Sequence, residues 1–330
     1  MKPVYRITQG ERDITATIQP FFQSLTMTDN VGLEADTLDL ELSEQDNQGQ
    51  ALQWPPRGRI LAVWIGYEGD PLHYKGQYVV DELSYQVNDR VLGIHAKSID
   101  VASTGKVLRS ESYVNTSLGD VLTRMAARNG WSVAVSAEYQ TIALPYLAQI
   151  DESDLHLLSR LGGIYGATAQ VKNATLLFVR AGGLVSASGL PMPVFEIRLS
   201  DLGDGCSYQE MGRGYYTGAK ARYSGEDGSG EVVVGQTEVL HILREVFDSQ
   251  EQAQEAVNAE LRRIQGQDNT LSLSLDVGMP AIVAESVIRL GVDWPQPIRE
   301  QDWVAKSITH TLGDGLSTKI ECVRSAALVE

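Results

Sequence analysis

Two segments, Val63–Tyr67 (VWIGY) and Tyr78–Tyr85 (YVVDELSY), specify the architecture because both recur later in the chain. The first aligns with Ile288–Val292 (IRLGV) and the second with Trp303–His310 (WVAKSITH), in each case 225 positions further on. Each copy is an apolar strand with a glycine near its end, a polar loop, and a strand that opens on an aromatic residue. We therefore expect one β-unit to occur twice, as in proteins that build part of a ring.

Strand parity provides a test of this duplication. Tyr78 and Leu83 both look like core residues, yet an unbroken strand would place them on opposite faces. A β-bulge between them would restore a common face. The same conflict recurs between Trp303 and Ile308. A shared irregularity would favour true duplication over the alternative, which is a chance match between two amphipathic strands.

The composition narrows the function classes. The chain has 330 residues, 43% hydrophobic and 21% charged, values ordinary for a globular protein of two or three domains. With 27 Lys and Arg against 43 Asp and Glu, the net charge is −16, which disfavours specific nucleic-acid binding. We expect no membrane insertion and no signal peptide, because long apolar runs are missing. Cys206 and Cys322 are expected to be buried, reduced thiols.

The middle of the chain departs from the β pattern of its two ends. Ser117 and Asp120 have capping-box spacing and Gly130 is a natural stop, which predicts a helix between them. A second helix is expected to start at Ser153 and to end at the glycines between 162 and 166. We therefore predict a mainly β fold with an α+β insertion, divided into residues 1–103, 104–193 (with a linker at its end) and 194–330 (with one inserted helix).

A search for catalytic and metal-binding patterns gives no candidate residues. The five histidines are scattered, without the spacing of a zinc site. Glu152 and Asp154, which flank Ser153, have a functional interpretation as a glycosidase pair. The favoured interpretation is that they cap the second helix and interact with its dipole. We accordingly predict no catalytic, cofactor-binding or metal-binding residues and no cofactor.

Three groups of residues stand out, and together they span nearly the whole chain: Trp54-Pro55 with Gly58 and Gly76–Leu83 (GQYVVDEL); Glu152–Leu161 (ESDLHLLSRL) with Tyr165–Ala167; and Trp303-Val304 with His310 and Gly315–Thr318 (GLST). These groups resemble the phage late-control protein D family. One departure is Leu157, where an aromatic residue is common in that family.

The resemblance implies a baseplate hub of a contractile tail, similar to the N-terminal hub of type VI secretion spike proteins. It implies that the two β-units are similar β-barrels flanking the small α+β module. In such hubs a homotrimer presents six barrels around a channel, and so joins the hexameric tail tube to the trimeric spike. The expected partners are therefore copies of the chain, the spike, the tube and other baseplate proteins, and the expected place is the virion tail.

Two alternatives to a structural hub remain open from the sequence. One is a tail-associated cell-wall hydrolase, which would require a convergent acid pair or a nucleophile. The other is an assembly factor that is absent from the finished particle. The sequence favours a non-enzymatic hub, and it does not distinguish a phage from a tail-like bacteriocin or a secretion device.

Overall fold

The computed structural model describes residues 1–98, 105–172, 174–181, 191–210, 216–225, 228–266 and 269–325. Most of the linker expected at the end of the 104–193 segment lies outside these residues. The first β-unit contains β1 (Pro3–Gln9), β2 (Arg12–Asp13), α1 (Thr15–Ile18), β3 (Phe22–Asn30), β4 (Thr37–Ser43), β5 (Ile60–Tyr67), β6 (His73–Gln86) and β7 (Val91–Ser98).

An α+β module follows the first β-unit. The module contains β8 (Leu108–Ser117), α2 (Leu118–Asn129), β9 (Ser132–Val135), α3 (Ala137–Gln140), β10 (Ala143–Ser153), α4 (Asp154–Tyr165), β11 (Ala167–Lys172) and β12 (Thr175–Arg180). It has its own apolar core between α2, α4 and a three-stranded sheet. Ser117 caps α2 and Gly130 ends it in the left-handed conformation, as predicted.

The second β-unit closes the described chain. It contains β13 (Val194–Ile197), β14 (Ser207–Glu210), β15 (Gly218–Gly225), β16 (Gly228–Gly235), β17 (Leu240–Phe247), α5 (Gln250–Gly266), β18 (Asn269–Leu275), β19 (Val287–Leu290), α6 (Gln296–Arg299), β20 (Trp303–Leu312) and β21 (Leu316–Arg324). No helix within the described ranges is long and apolar enough to cross a membrane.

The two β-units have the same strand order. Hydrogen-bonded neighbours run β1-β5-β6-β7-β4-β3 in the first unit and β13-β19-β20-β21-β18-β14 in the second. When β2 and β15–β17 are left out and each unit is numbered along the chain, both orders read 1-4-5-6-3-2. One difference remains, because β1 runs antiparallel to β5 whereas β13 runs parallel to β19.

The parity conflict is resolved in the same way in both units. The β6–β7 register shifts between Val80 and Glu82, and the β20–β21 register shifts between Ala305 and Ser307. The extra residues, Asp81 and Lys306, are 225 positions apart, as the repeat predicts. Trp303 is buried at the start of β20, whereas Tyr78 is buried in the middle of β6, because that strand already begins at His73. A shared bulge is stronger evidence for duplication than shared alternation, because regular strands match by chance.

The structure corrects two details of the sequence analysis. The insertion in the second unit is larger than the one helix that we expected: β15–β17 form a separate sheet with α5 packed on it. Of the three glycines expected to end the second helix of the module, Gly166 does so, whereas the helix continues through Gly162 and Gly163. Gly162 lies where α4 packs on β11, and a Cβ there would meet the Cβ of Ala169 at 2.8 Å. The domain boundaries themselves stay a prediction.

Candidate functional site on a shared sheet face

A strand junction joins the two β-units into one 13-stranded sheet. The second half of β20, Ser307–Leu312, pairs antiparallel with β3 from Asn30 back to Leu25. Two cross-strand hydroxyl pairs lie on it, Thr28 with Thr309 at 3.2 Å and Thr26 with Thr311 at 3.5 Å. The apolar residues of the same strands point to the opposite face, into the cores of the units. The junction is therefore specified by strict alternation.

One face of this sheet is polar across both units. The side chains opposite the cores are half-buried or exposed, and most carry hydroxyl or charged groups. In the first unit they include Ser24, Thr26, Thr28, Asp39, Glu41, Ser84 and His95, and in the second Ser272, Ser274, Ser307, Thr309, Thr311, Lys319 and Glu321. We call this surface the polar face.

Each unit also presents an unpaired strand edge. β5 pairs with β6 only as far as Val79, and no strand among the described residues pairs with the outer edge of Glu82–Gln86. The outer edge of β14 is likewise unpaired within the described residues. Exposed edges of this kind are templates for pairing with another chain.

A cluster of polar groups on the core side of the sheet stabilises the β20–β3 junction. The Lys75 ammonium donates to the carbonyl of Ile282 at 3.0 Å and lies 3.0 Å from Nε2 of His310. Burial lowers the pKa of Lys75 to about 8. Burial, reinforced by the charge of Lys75, lowers the pKa of His310 to about 3. Lys172 of the module pairs with Asp29, which also accepts a hydrogen bond from the amide of Ala284 at 2.9 Å.

Glu152 and Asp154 are not the helix caps that we expected. The cap of α4 is Ser153, which accepts from the amide of His156 at 3.2 Å. Asp154 is fully buried and accepts from Arg128 Nε at 2.8 Å.

The two carboxylates pair with different cations, Glu152 with Arg160 and Asp154 with Arg128. Glu152 accepts two hydrogen bonds from Arg160, at 3.0 and 2.8 Å. Burial opposes ionisation of Glu152, but Arg160 outweighs it and holds the pKa of that carboxyl below its usual value. Each carboxylate is therefore committed to its own arginine, which does not suit an acid–base pair.

The polar face carries one constellation that the sequence analysis missed. Ser84 Oγ lies 2.9 Å from Nε2 of His95, and His95 Nδ1 lies 2.6 Å from Asp39 Oδ1. These residues come from β6, β7 and β4, so no local motif links them. Within the described residues, no group of three or more His, Cys, Asp or Glu side chains is placed to hold a metal.

No family model matches the chain. It is 30% identical to the probable baseplate hub protein of Escherichia phage 186, with 97% of this chain and 92% of that protein covered. It is 31% identical to the probable baseplate hub protein of Escherichia phage P2, with 97% and 93% covered. This chain belongs to the family of phage baseplate hub proteins.

Solved structures share the fold of this hub. The 43 kDa tail protein of prophage MuSo2 from Shewanella oneidensis is 16% identical, with a TM-score of 0.72 over 98% of this chain and 99% of that one. A component of the Escherichia coli type VI secretion system, the c3393 protein, is 10% identical with a TM-score of 0.59, covering 92% and 73%. The expected resemblance to type VI spike-related proteins is confirmed at the level of fold.

Membership of this family defines the general role of the chain and its location in the particle. The chain is a structural component of the phage tail and is located in the tail baseplate of the virion. The hydrolase alternative gains no support from relatives that are named as hub proteins. The mainly β architecture of this chain, with several sheets, is the one expected for such a hub.

Proposed function

We propose that this hub is a homotrimeric symmetry adaptor, which joins a hexameric tail tube to a trimeric spike. The observation that carries the proposal is the β20–β3 junction together with two unpaired edges. One of these edges is the repeat equivalent of β20 and the other is the repeat equivalent of β3. A head-to-tail contact of this kind generates a ring when its rotation closes, and three protomers would supply six β-units.

Transverse rows of the sheet establish the equivalence of β3 and β14. In the first unit Thr26, Asp39, His95 and Glu82 lie side by side across β3, β4, β7 and β6. In the second unit the matching row is Ser207, Ser272, Glu321 and Ser307, across β14, β18, β21 and β20.

The register between neighbouring protomers follows from these rows. Glu82 and Ser307 are 225 positions apart, so the rows correspond and Ser207 takes the place of Thr26. Since Thr311 pairs with Thr26 inside one chain, Gln86 is expected to pair with Ser207 of the neighbouring protomer.

The elements outside the two β-units would provide the surface that has threefold symmetry. The α+β module and the insertion of β15–β17 with α5 occur once per chain, whereas the β-units occur twice. A ring of three chains would therefore present six similar β-units and three sets of extra elements. A hexameric tube suits the first arrangement and a trimeric spike the second.

We also propose that the hub role itself needs no enzyme activity. Holding a spike, nucleating a tube and transmitting force depend on interfaces rather than on turnover. Glu152 and Asp154, the two carboxylates considered for acid–base catalysis, each form an ion pair with an arginine.

Disulfide trapping tests the trimer. We expect Gln86→Cys with Ser207→Cys, in a Cys206→Ser background, to give covalently linked dimers and trimers on non-reducing gels, because paired strands bring cysteines within bonding range. The matched control is Thr26→Cys with Thr311→Cys, which should form a disulfide inside one chain. If the control closes while the test pair gives only monomer in intact particles, the proposed ring is wrong.

A further inference from the structure

We propose that Ser84 is an activated nucleophile that accepts acyl groups from uncharged or cationic esters. His95 and Asp39 activate it, and Gln209 of the neighbouring protomer completes the site. The role of Gln209 rests on the ring proposed above, whereas the serine, histidine and aspartate belong to one chain.

The hydrogen bonds give the three side chains complementary roles when His95 is neutral. A carboxylate only accepts, so Asp39 requires that Nδ1 of His95 carry the proton at their 2.6 Å contact. In the neutral imidazole Nε2 is then the acceptor, and Ser84 Oγ donates to it across 2.9 Å. This is the order of donors in a serine nucleophile with a general base and an orienting acid.

The backbone leaves room for this arrangement. Gly93 lies directly across from Ser84 in the β6–β7 pair. A Cβ at Gly93 would stand 2.4 Å from Ser84 Oγ and 3.2 Å from His95 Nε2, so a larger residue would push the two apart. The absence of a side chain at Gly93 therefore allows the Ser84 hydroxyl and the His95 ring to come into contact.

The second β-unit shows that the sheet does not need the constellation. The positions equivalent to Ser84, His95 and Asp39 are Thr309, Glu321 and Ser272. In the second unit Ser272 donates one hydrogen bond to Glu321 at 3.1 Å, where the first unit has two consecutive hydrogen bonds through His95. The same strand order is thus built without a histidine, so packing of the fold is not what requires one.

The surroundings select the substrate. The side chains of His95 and Asp39 are 42% and 44% exposed, so an ester can approach from solvent. Glu82 lies across from His95, and Glu41 lies on the same strand face as Asp39. These carboxylates repel anionic acyl donors and favour neutral or cationic ones.

An oxyanion donor is supplied across the protomer boundary. Thr28 lies opposite Thr309 in the junction within one chain. The equivalent pair between protomers is Gln209 with Ser84. A side-chain amide donates N–H, and a donor of this type stabilises the oxyanion that forms when serine attacks a carbonyl.

The reaction balances with water as the only co-reactant. Ser84 Oγ bonds to the ester carbonyl carbon while its proton passes to His95 Nε2. The carbon–alkoxide bond breaks, and the leaving alcohol takes that proton. Water then attacks the acyl-serine, with His95 again accepting and returning a proton, so that carboxylic acid and free Ser84 result.

The experiment uses the full chain in its trimeric form, with a fluorophosphonate probe for labelling and p-nitrophenyl acetate for acylation. We expect one labelled residue, Ser84, and complete loss of label in Ser84→Ala. His95→Gln and Asp39→Asn should each slow labelling by about 10²-fold or more. Thr309→Ala, at the equivalent position of the other unit, is the control and should label at the rate of the unchanged protein.

Two further readouts separate this proposal from the ring. In the trimer, Gln209→Ala should slow the release of acetate by about 10-fold or more. In the unassembled chain, where Gln209 does not reach Ser84, the same substitution should not change the rate of acetate release. If cysteine trapping fails but Ser84 still labels in a His95-dependent way, the ring is wrong and the activated serine stands. If the trimer is trapped and Ser84 labels no faster than in Asp39→Asn, the activated serine is ruled out.

Discussion

At the scale of the residue, the sharpest contrast lies between buried and exposed ion pairs. Asp154 is completely buried and held by Arg128, whereas Asp81 and Lys97 form a pair whose side chains are 59% and 62% exposed. Removing one member of a buried pair leaves an uncompensated charge, while an exposed pair is largely replaced by water.

Asp154→Ala should therefore lower the free energy of unfolding of the module by about 3–5 kcal/mol. Asp81→Ala, the matched control, should change stability by less than about 1 kcal/mol. Urea unfolding of the two full-length variants checks this. Equal midpoints would show that Arg128 does not depend on its carboxylate.

His310 provides a pH prediction. Its pKa is about 3 in the folded chain and about 6.5 when unfolded. The unfolded chain therefore binds a proton that the folded chain refuses, and stability falls as the pH drops below about 6.5. Against His310→Gln, the difference in unfolding free energy should shrink by up to about 1.4 kcal/mol per pH unit. Parallel curves from pH 7 to 5 would contradict the burial of a neutral imidazole.

At the scale of the element, α4 contains two adjacent glycines with opposite surroundings. A Cβ at Gly162 would meet Ala169 at 2.8 Å and the carbonyl of Ala167 at 3.0 Å, whereas a Cβ at Gly163 would meet nothing within 4 Å. The first glycine permits close helix–strand packing, and the second only weakens the helix.

Gly162→Ala should therefore destabilise the chain by about 1–3 kcal/mol through overpacking. Gly163→Ala should stabilise it by roughly 0.5–1 kcal/mol, because alanine is the better helix former. Thermal unfolding of the two variants gives the comparison. A stabilising Gly162→Ala would mean that α4 and β11 can separate without loss.

The sequence predicted those features whose cause is local. The cap at Ser117, the stop at Gly130 and the paired bulges all follow from a few neighbouring residues. The size of the insertion was missed because strands such as β17 lack clean alternation. The Ser84–His95–Asp39 constellation was missed because strand pairing, which no short motif encodes, brings it together.

At the scale of the whole molecule, the dominant property is charge. Each chain carries −16, and the polar face mixes hydroxyls with carboxylates. Attraction to DNA depends on cations that displace counterions from phosphate.

We therefore expect no measurable binding of the trimer to random duplex DNA at physiological salt. Fluorescence anisotropy with a labelled duplex measures it. Submicromolar binding that weakens steeply with added salt would reveal a basic surface and point to a regulatory role.

The β20–β3 junction also bears on how such a hub fails under load. In the proposed ring, seams of identical strand register alternate between two kinds. Three are tethered by the polypeptide, since β3 and β20 belong to one chain, and three are bridged by hydrogen bonds and side-chain contacts alone. Outward strain during contraction would then part the ring at every second seam, releasing whole protomers with both β-units still joined.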